Sequence, residues 1–355
     1  MANRIFDLQE TRGSFQVKGL VNGVESNRFY TSKKTKTNKD FRNVNFGCAY
    51  NDKKSIYLNL NGMPQQNVYF SKRNQATGKS ETETVAWANR YKFNKEGFRM
   101  IGVTVGLTKT TDDNGKVVND KKTITPYDAC EYIKDNMKDD SSVFIKGNLE
   151  FSSFTDGEGN IRRSIKYVPS QVSLCKDVVY AEYDNDKNKP VHDFTQNIVF
   201  MGIDKEKVDD KETGRFIVSA KIVTYNDIID TEFIIVNPKI AKTFKTNLKP
   251  YNALTVFGKI EVSHSVEEVE EDDGWGGANP MNSVSNPTKV ELIINGGDKD
   301  SVDKETYTEK NINEAIKKIR ASKEADDKFV ANDDSASDAD WGDSANDDND
   351  EEEPW

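Results

Sequence analysis

The sequence predicts a mainly β protein. It reads as two tandem copies of a small five-stranded unit, the first with an inserted strand region, followed by a short helix and a disordered acidic tail. Three observations carry this reading. Apolar residues recur mostly with period two, as in strands that bury one face. The order three strands, helix, two strands occurs twice, 111 residues apart. Charge is segregated: the net is −10 overall, −13 over residues 324–355 and +11 over residues 1–109.

The elements follow in order. Phe15, Val17, Gly19 and Val21 alternate with Gln16, Lys18 and Leu20. Val44, Phe46 and Cys48 alternate with Asn43, Asn45 and Gly47, and Ile56, Leu58 and Leu60 with Tyr57 and Asn59. Each is a strand with one core face and one polar face. Pro126 opens a helix, since proline suits a first helical turn, and Tyr127, Cys130, Ile133 and Met137 recur at helical spacing. A strand from Val143 to Phe151 follows. The loop Asp156 to Asn160 turns the chain, and Ile161 to Leu174 returns.

About sixty extra residues separate the third strand of this copy from its helix. Val68–Lys72, Val85–Phe93 and Arg99–Leu107 are expected to be added strands. Ile101, Val103, Val105 and Leu107 give the last a core face, and Gly102, Thr104 and Gly106 a flat one. The second copy is compact: strands at 197–203, 215–225 and 231–236, then a helix opened by Pro238 with Ile240, Ala241, Phe244 and Leu248. Strands at 252–262 and 289–294 close it, with a long acidic and Gly-rich loop, Glu267 to Pro287, between them.

Three strands, a helix and two strands is the order of an OB-fold, a five-stranded Greek-key barrel. The domain reading is therefore two tandem OB-fold-like five-stranded barrels. Residues 1–180 form the first, basic barrel with an insertion at 62–122, and residues 191–297 form the second. Residues 298–323 are a short helical segment, suggested by Ile312, Ala315, Ile316 and Ile319. From Glu324 apolar residues almost vanish, so 324–355 cannot bury enough surface to offset its ordering entropy and is expected to be disordered.

Composition narrows the function. Mean hydropathy is −0.78 and no run suits a membrane helix, so no membrane partner is expected. The N-terminus lacks the apolar stretch of a secretory signal. Cys48, Cys130 and Cys175 are odd in number and far apart, which favours a reducing cytoplasm over a disulfide framework. His192 and His264 are the only histidines, too few for a His-rich zinc site. The run Arg73 to Ser80 lacks the first glycine of a phosphate-binding loop and reads as a turn. Asp112-Asp113-Asn114-Gly115 lacks calcium-loop spacing and reads as a hairpin turn. The expectation is a non-enzymatic protein without cofactor or metal.

The basic charge of the first copy comes with aromatics. Lys33, Lys34, Lys36 and Arg42 lie around the loop between the first two strands, Lys72 and Arg73 follow Tyr69, and Arg90 and Lys92 flank Tyr91 just after Trp87. Arg99 follows Phe98, and Tyr57 points away from the core side of its strand. Cations that neutralise phosphates and rings that stack bases are what single-stranded nucleic acid requires. These are the candidate binding residues. Phe46, Phe70 and Phe93 are expected to be core. The second copy, −6 over residues 181–323, suits support or dimerisation as well as binding. The same features leave an RNA-binding or a scaffolding barrel protein as alternatives.

The chain ends Asp350-Glu351-Glu352-Glu353-Pro354-Trp355. A large aromatic at the tip of an acidic run suits a partner pocket lined by cations. With two barrels, carrying Asn43-Val44-Asn45-Phe46-Gly47 and Ile56-Tyr57-Leu58-Asn59-Leu60-Asn61-Gly62-Met63 in the first, the chain resembles single-stranded DNA-binding proteins of the two-barrel type encoded by large tailed bacteriophages. The tip is similar to that of the bacterial proteins, with Glu353 in place of an aliphatic residue and Trp355 in place of Phe. The resemblance implies protection of single-stranded DNA, without much sequence preference, in replication, recombination and repair. It implies recruitment of replication, recombination or repair enzymes by the tip, and a cytoplasmic location, in a host cell if phage-encoded.

Overall fold

The computed structural model describes residues 4–75, 77–155, 161–183, 189–208, 210–264, 267–268, 284–285 and 288–332. The expected loop at 156–160, most of the loop between Glu267 and Pro287, and the tip at 350–355 lie outside the described residues, except 267–268 and 284–285. Strands β1 (Gly13–Asn22), β2 (Tyr30–Lys34), β3 (Asp40–Ala49) and β4 (Ser55–Gly62) come first. The insertion supplies β5 (Asn67–Arg73), β6 (Ser80–Ala86), β7 (Arg99–Met100), β8 (Val103–Gly106), β9 (Lys109–Thr111), β10 (Val117–Asn119) and β11 (Lys122–Ile124). Helix α1 (Pro126–Asn136) and the hairpin β12 (Ser142–Thr155) and β13 (Ile161–Leu174) complete the first unit. The second contains β14 (His192–Val208), β15 (Lys211–Val223), β16 (Ile228–Ile235), α2 (Pro238–Asn247), β17 (Asn252–His264), the short β18 (Glu267–Glu268) and β19 (Val284–Ser285), and β20 (Thr288–Asp303). Helix α3 (Glu309–Asn332) follows.

The pairings close on themselves twice. In the first unit β1 pairs with β3, β3 with β4, β4 with β13, β13 with β12, and β12 with β1. In the second, β14, β15, β16, β20 and β17 do the same in the same sense. The predicted period-two residues fill the first ring: Val17, Val44, Phe46, Ile56, Leu58 and Ile145 are all buried. Each helix seals one end, and each is built alike. Thr125 caps α1, its hydroxyl accepting from the Asp128 N–H at 3.3 Å, and Asn237 caps α2, accepting from the Lys239 N–H at 2.9 Å. Proline takes the first turn of both.

The two units are not separate bodies. Antiparallel pairing of Gly13–Val17 with His192–Gln196 joins them in one thirteen-stranded sheet. The ring of Tyr50 from the first unit stacks on His192 of the second at 4.3 Å, and the Tyr50 hydroxyl accepts from the Val262 N–H at 3.1 Å. His192 Nδ1 lies 2.7 Å from the Ile260 carbonyl, which can only accept, so that nitrogen carries the proton. Burial lowers the His192 pKa; the Ile260 bond opposes the shift and Lys259 adds to it.

Several expectations need correction. The strand Arg99–Leu107 is broken at Ile101 and Gly102, because there the chain passes from the inserted sheet to the main one. The Ile101 N–H still bonds the Tyr69 carbonyl at 2.8 Å, while a Cβ on Gly102 would meet the Ile124 carbonyl oxygen at 2.3 Å. Ile101 is consequently 60% exposed rather than core. The flat Gly102–Gly106 face is covered: Thr104 hydrogen-bonds Thr123 on β11, and Lys121 lies over Gly106. Val85–Phe93 is strand only to Ala86, after which Trp87–Asn89 make a helical turn. Residues 4–12, counted with the first unit, pack on the second, where Phe6 is buried with Val199, Tyr307 and Ile312. Helix α3 runs to Asn332, into the stretch expected to be disordered from Glu324; the sequence to Asn332 holds neither glycine nor proline to stop it. Among the described residues no helix is long and apolar enough to cross a membrane.

Candidate nucleic-acid interface

Strand alternation decides what the first unit presents outward. Since Val44, Phe46 and Cys48 of β3 and Ile56, Leu58 and Leu60 of β4 are buried, the opposite face carries Asn43, Asn45 and Gly47 paired with Asn61, Asn59 and Tyr57. Tyr57 is 70% exposed, because the residue opposite it is a glycine. The Asn22 side chain lies over Gly47: a Cβ there would stand 1.9 Å from Asn22 Oδ1, so Asn22 would have to swing aside. The asparagines form an amide row. Asn59 Nδ2 donates to Asn43 Oδ1 at 2.8 Å and to Asn45 Oδ1 at 2.5 Å, and Asn61 Nδ2 to Asn59 Oδ1 at 3.4 Å.

At the Asn61 end stands the β2–β3 hairpin. Lys33, Lys34, Lys36 and Lys39 are exposed on it. Lys34 approaches Asp40 at 3.7 Å, and Lys33 lies 5.9 Å from the centre of the Phe41 ring. Its tight turn places Asn38 in left-handed backbone, φ 58°, which asparagine tolerates.

The insertion builds the other wall. Strand β5 buries Val68 and Phe70 and exposes Tyr69 and Arg73. Pairing of Ser71 with Arg99 brings Arg99 to the Tyr69 side of this sheet. Between this sheet, the hairpin tip, the β4–β5 connection and the start of α1 lies a cleft of about 960 Å³. Tyr69, Trp87, Ile101, Met63, Gln66 and Asn61 are among its walls. Lys72 takes the opposite face, 5.9 Å from the Phe98 ring and bonded to the Glu96 carbonyl at 3.3 Å. Phe70, which is core as expected, and the half-buried Phe93 pack there at 4.4 Å. Lys92 is exposed beside Tyr91, outside the cleft walls.

Two of the predicted cations are occupied. The Arg42 guanidinium lies 3.9 Å from the Tyr127 ring centre and 2.9 Å from Glu131. Arg90 sits 4.4 Å from the Trp87 ring and donates to Asp128 through Nε at 2.9 Å and Nη2 at 3.3 Å. The Tyr91 hydroxyl (2.5 Å) and the Thr125 hydroxyl (2.7 Å) donate to the same carboxylate. Burial alone would raise the Asp128 pKa, but the bonds from Arg90, Tyr91 and Thr125 outweigh it and hold the carboxyl below its ordinary value. Asp128 thus fastens the insertion to the first turn of α1. Sequence reasoning missed Tyr127, Asp128 and the amide row. The alternation of asparagine with apolar residues was the one signal for the row; nothing local signalled that Asp128 would meet Arg90.

The matching face of the second unit is different in charge. There β16 exposes Asp230 and Glu232, and Lys221 is bound to Asp230 at 2.5 Å. Arg215 lies between Glu206 at 3.3 Å and Glu291 at 2.7 Å.

Comparison with known proteins adds a family. The model of the YorF family matches residues 12–330, and the chain belongs to that family. No curated protein matches the sequence. Among solved structures, the single-stranded DNA-binding protein from Thermus aquaticus is similar in two forms. A deletion mutant gives a TM-score of 0.38 at 8% identity, covering 81% of this chain and 94% of that one. The wild type gives 0.37 at 8% identity, covering 82% and 93%. So distant a likeness transfers no function, which has to rest on this chain's own residues.

Proposed function

We propose that this member of the YorF family binds single-stranded DNA without enzymatic activity. Each closed ring with its sealing helix is read as an OB-fold-like barrel. The observation that carries the proposal is Tyr57, a large ring held 70% exposed on a regular strand opposite a glycine, on a face whose far end carries a hairpin of exposed lysines. An exposed ring on a strand face costs solubility and adds nothing to the core; stacked on a base it contributes about 1–3 kcal/mol. Lys33, Lys34, Lys36, Lys92, Arg73 and Arg99 are the proposed phosphate contacts, and Tyr57, Tyr69 and Trp87 the stacking residues. Arg90 and Tyr91 are assigned to fastening the insertion to α1, Arg42 to holding α1 on β3, and Lys72 to bracing the insertion internally.

The second barrel, with carboxylates on the matching face, supports the first. The tail recruits replication, recombination or repair enzymes through Asp350 to Trp355, and its charge competes with DNA for the basic face.

The test is Tyr57→Ala against a labelled oligonucleotide, with ssRNA and duplex DNA as competitors. The expected result is an unchanged melting temperature, weakening by about 1–3 kcal/mol, and preference for ssDNA. An intact fold with unaltered affinity would put Tyr57 outside the interface. Preference for structured RNA would replace the DNA reading with the RNA one.

A further inference from the structure

The cleft under the insertion differs chemically from the face that leads to it. Its walls hold two aromatic rings, Tyr69 and Trp87, and the aliphatic Ile101, which is 60% exposed although apolar. Lys39 and Asp40 stand at its hairpin end, and the rest is rich in carboxamides: Asn61, Gln65, Gln66 and Asn67 come from one continuous stretch, and all four are exposed. A polymer backbone needs cations. Carboxamides, which pair a donor with an acceptor in one plane, instead match the edges of flat heterocycles. Rings and an aliphatic residue beside such amides make a place where an unstacked base has both its face and its edge satisfied.

The approach is continuous. Tyr57, Asn59 and Asn61 succeed one another on the outer face of β4, and the chain then enters the cleft at Gly62 and Met63. At about 3.4 Å per residue, Tyr57 and Asn61 are roughly 14 Å apart, a span that an extended strand crosses in a few nucleotides. The Asp128 fastening fixes the far wall, since it binds Arg90 and Tyr91 of the insertion to the helix whose cap, Thr125, and first residue, Pro126, also line the cleft.

We infer that this cleft is a nucleobase pocket: a base of the strand lying on Tyr57 turns into it, is held between Tyr69, Trp87 and Ile101, and has its edge read by the carboxamides of Asn61 and of residues 65–67. The protein therefore discriminates among bases at one position of its site. This rests on the single-stranded DNA reading above, and supplies the preference that a face of cations and one tyrosine lacks.

The experiment uses the full chain and labelled oligonucleotides of equal length, poly-dA, poly-dC and poly-dT, plus a dT oligomer with alternate abasic positions. Affinities are compared among wild type, the double variant Gln65→Ala/Gln66→Ala, and Tyr57→Ala. Both glutamines are exposed, so their loss leaves the fold standing. The expected result is that the double variant changes the ratio among the three homopolymers by about fivefold or more and narrows the penalty of abasic positions. Tyr57→Ala lowers all three affinities together. If the ratios are the same in wild type and double variant while Tyr57→Ala still weakens binding, the pocket is refuted and the DNA reading stands. If no oligonucleotide binds, both are refuted.

Discussion

Asp128→Ala tests how the insertion is held. Asp128 is the acceptor for Arg90, Tyr91 and Thr125 at once, and the paired Arg90 and Asp128 side chains are each only 21% exposed. A hydrogen bond to a charged group contributes about 1.5–3 kcal/mol, reduced here because the pair is partly solvated. An acid in the first turn of a helix adds about 0.3–1 kcal/mol. That last term acts within α1; the bonds from Arg90 and Tyr91 place about 2–3 kcal/mol on the contact between residues 87–91 and α1. The first ring does not depend on that contact, so the loss falls on local opening of the insertion rather than on global unfolding. Cleavage of a transiently open segment follows its open population, so limited proteolysis within residues 62–122 is predicted to accelerate roughly 30- to 150-fold. Trp87, packed on Arg90, changes its fluorescence in parallel. Cleavage within twofold of wild type would refute the assignment of Asp128 as the fastening.

Two further outcomes follow from charge. His192 is buried and neutral, with its pKa lowered from 6.5 chiefly by burial. Its contribution to stability is therefore complete above pH 6.5. It is lost as pH falls from 6.5 toward the folded pKa, at up to about 1.4 kcal/mol per pH unit, because only the unfolded chain takes up the proton. Urea midpoints at pH 7.5, 6.5 and 5.5 are expected to fall more steeply for wild type than for His192→Gln, which keeps a donor for Ile260 and has nothing to titrate; equal slopes would contradict this. Residues 333–355 hold eleven acidic and no basic residues. Their deletion is expected to tighten oligonucleotide binding at low salt and to leave it unchanged at high salt, where such competition is screened; equal affinity at low salt would remove the tail from the basic face.

Much of the fold was legible because it follows from local periodicity. The alternation around Phe46 and Leu58, and the Pro-led helices at 126 and 238, each fix which side of the chain is buried, and the repeat fixes the order. What was not legible depends on contacts remote in sequence. Ile101 has the spacing of a core strand residue, but there the chain crosses from the inserted sheet to the main one, with Gly102 fitting against the Ile124 carbonyl. Residues 4–12 give no sign that Phe6 will meet Ile312, some three hundred positions later. The same holds for the site. Tyr57 was readable from its two buried neighbours alone. Arg42 and Arg90 were indistinguishable in sequence from exposed cations, since their partners Glu131 and Asp128 arrive only when α1 docks.

The central claim is that the basic, aromatic face of the first unit binds single-stranded DNA through phosphates. It is tested most directly by the affinity for a labelled oligonucleotide as a function of salt. The proposed contacts Lys33, Lys34, Lys36, Arg73, Lys92 and Arg99 are all exposed. Roughly six phosphate contacts by them predict a slope of log K against log salt of about −4, and a slope shallower by about 0.7 for each one replaced by alanine. Affinity that does not change with salt, or a slope untouched by those substitutions, would contradict the account.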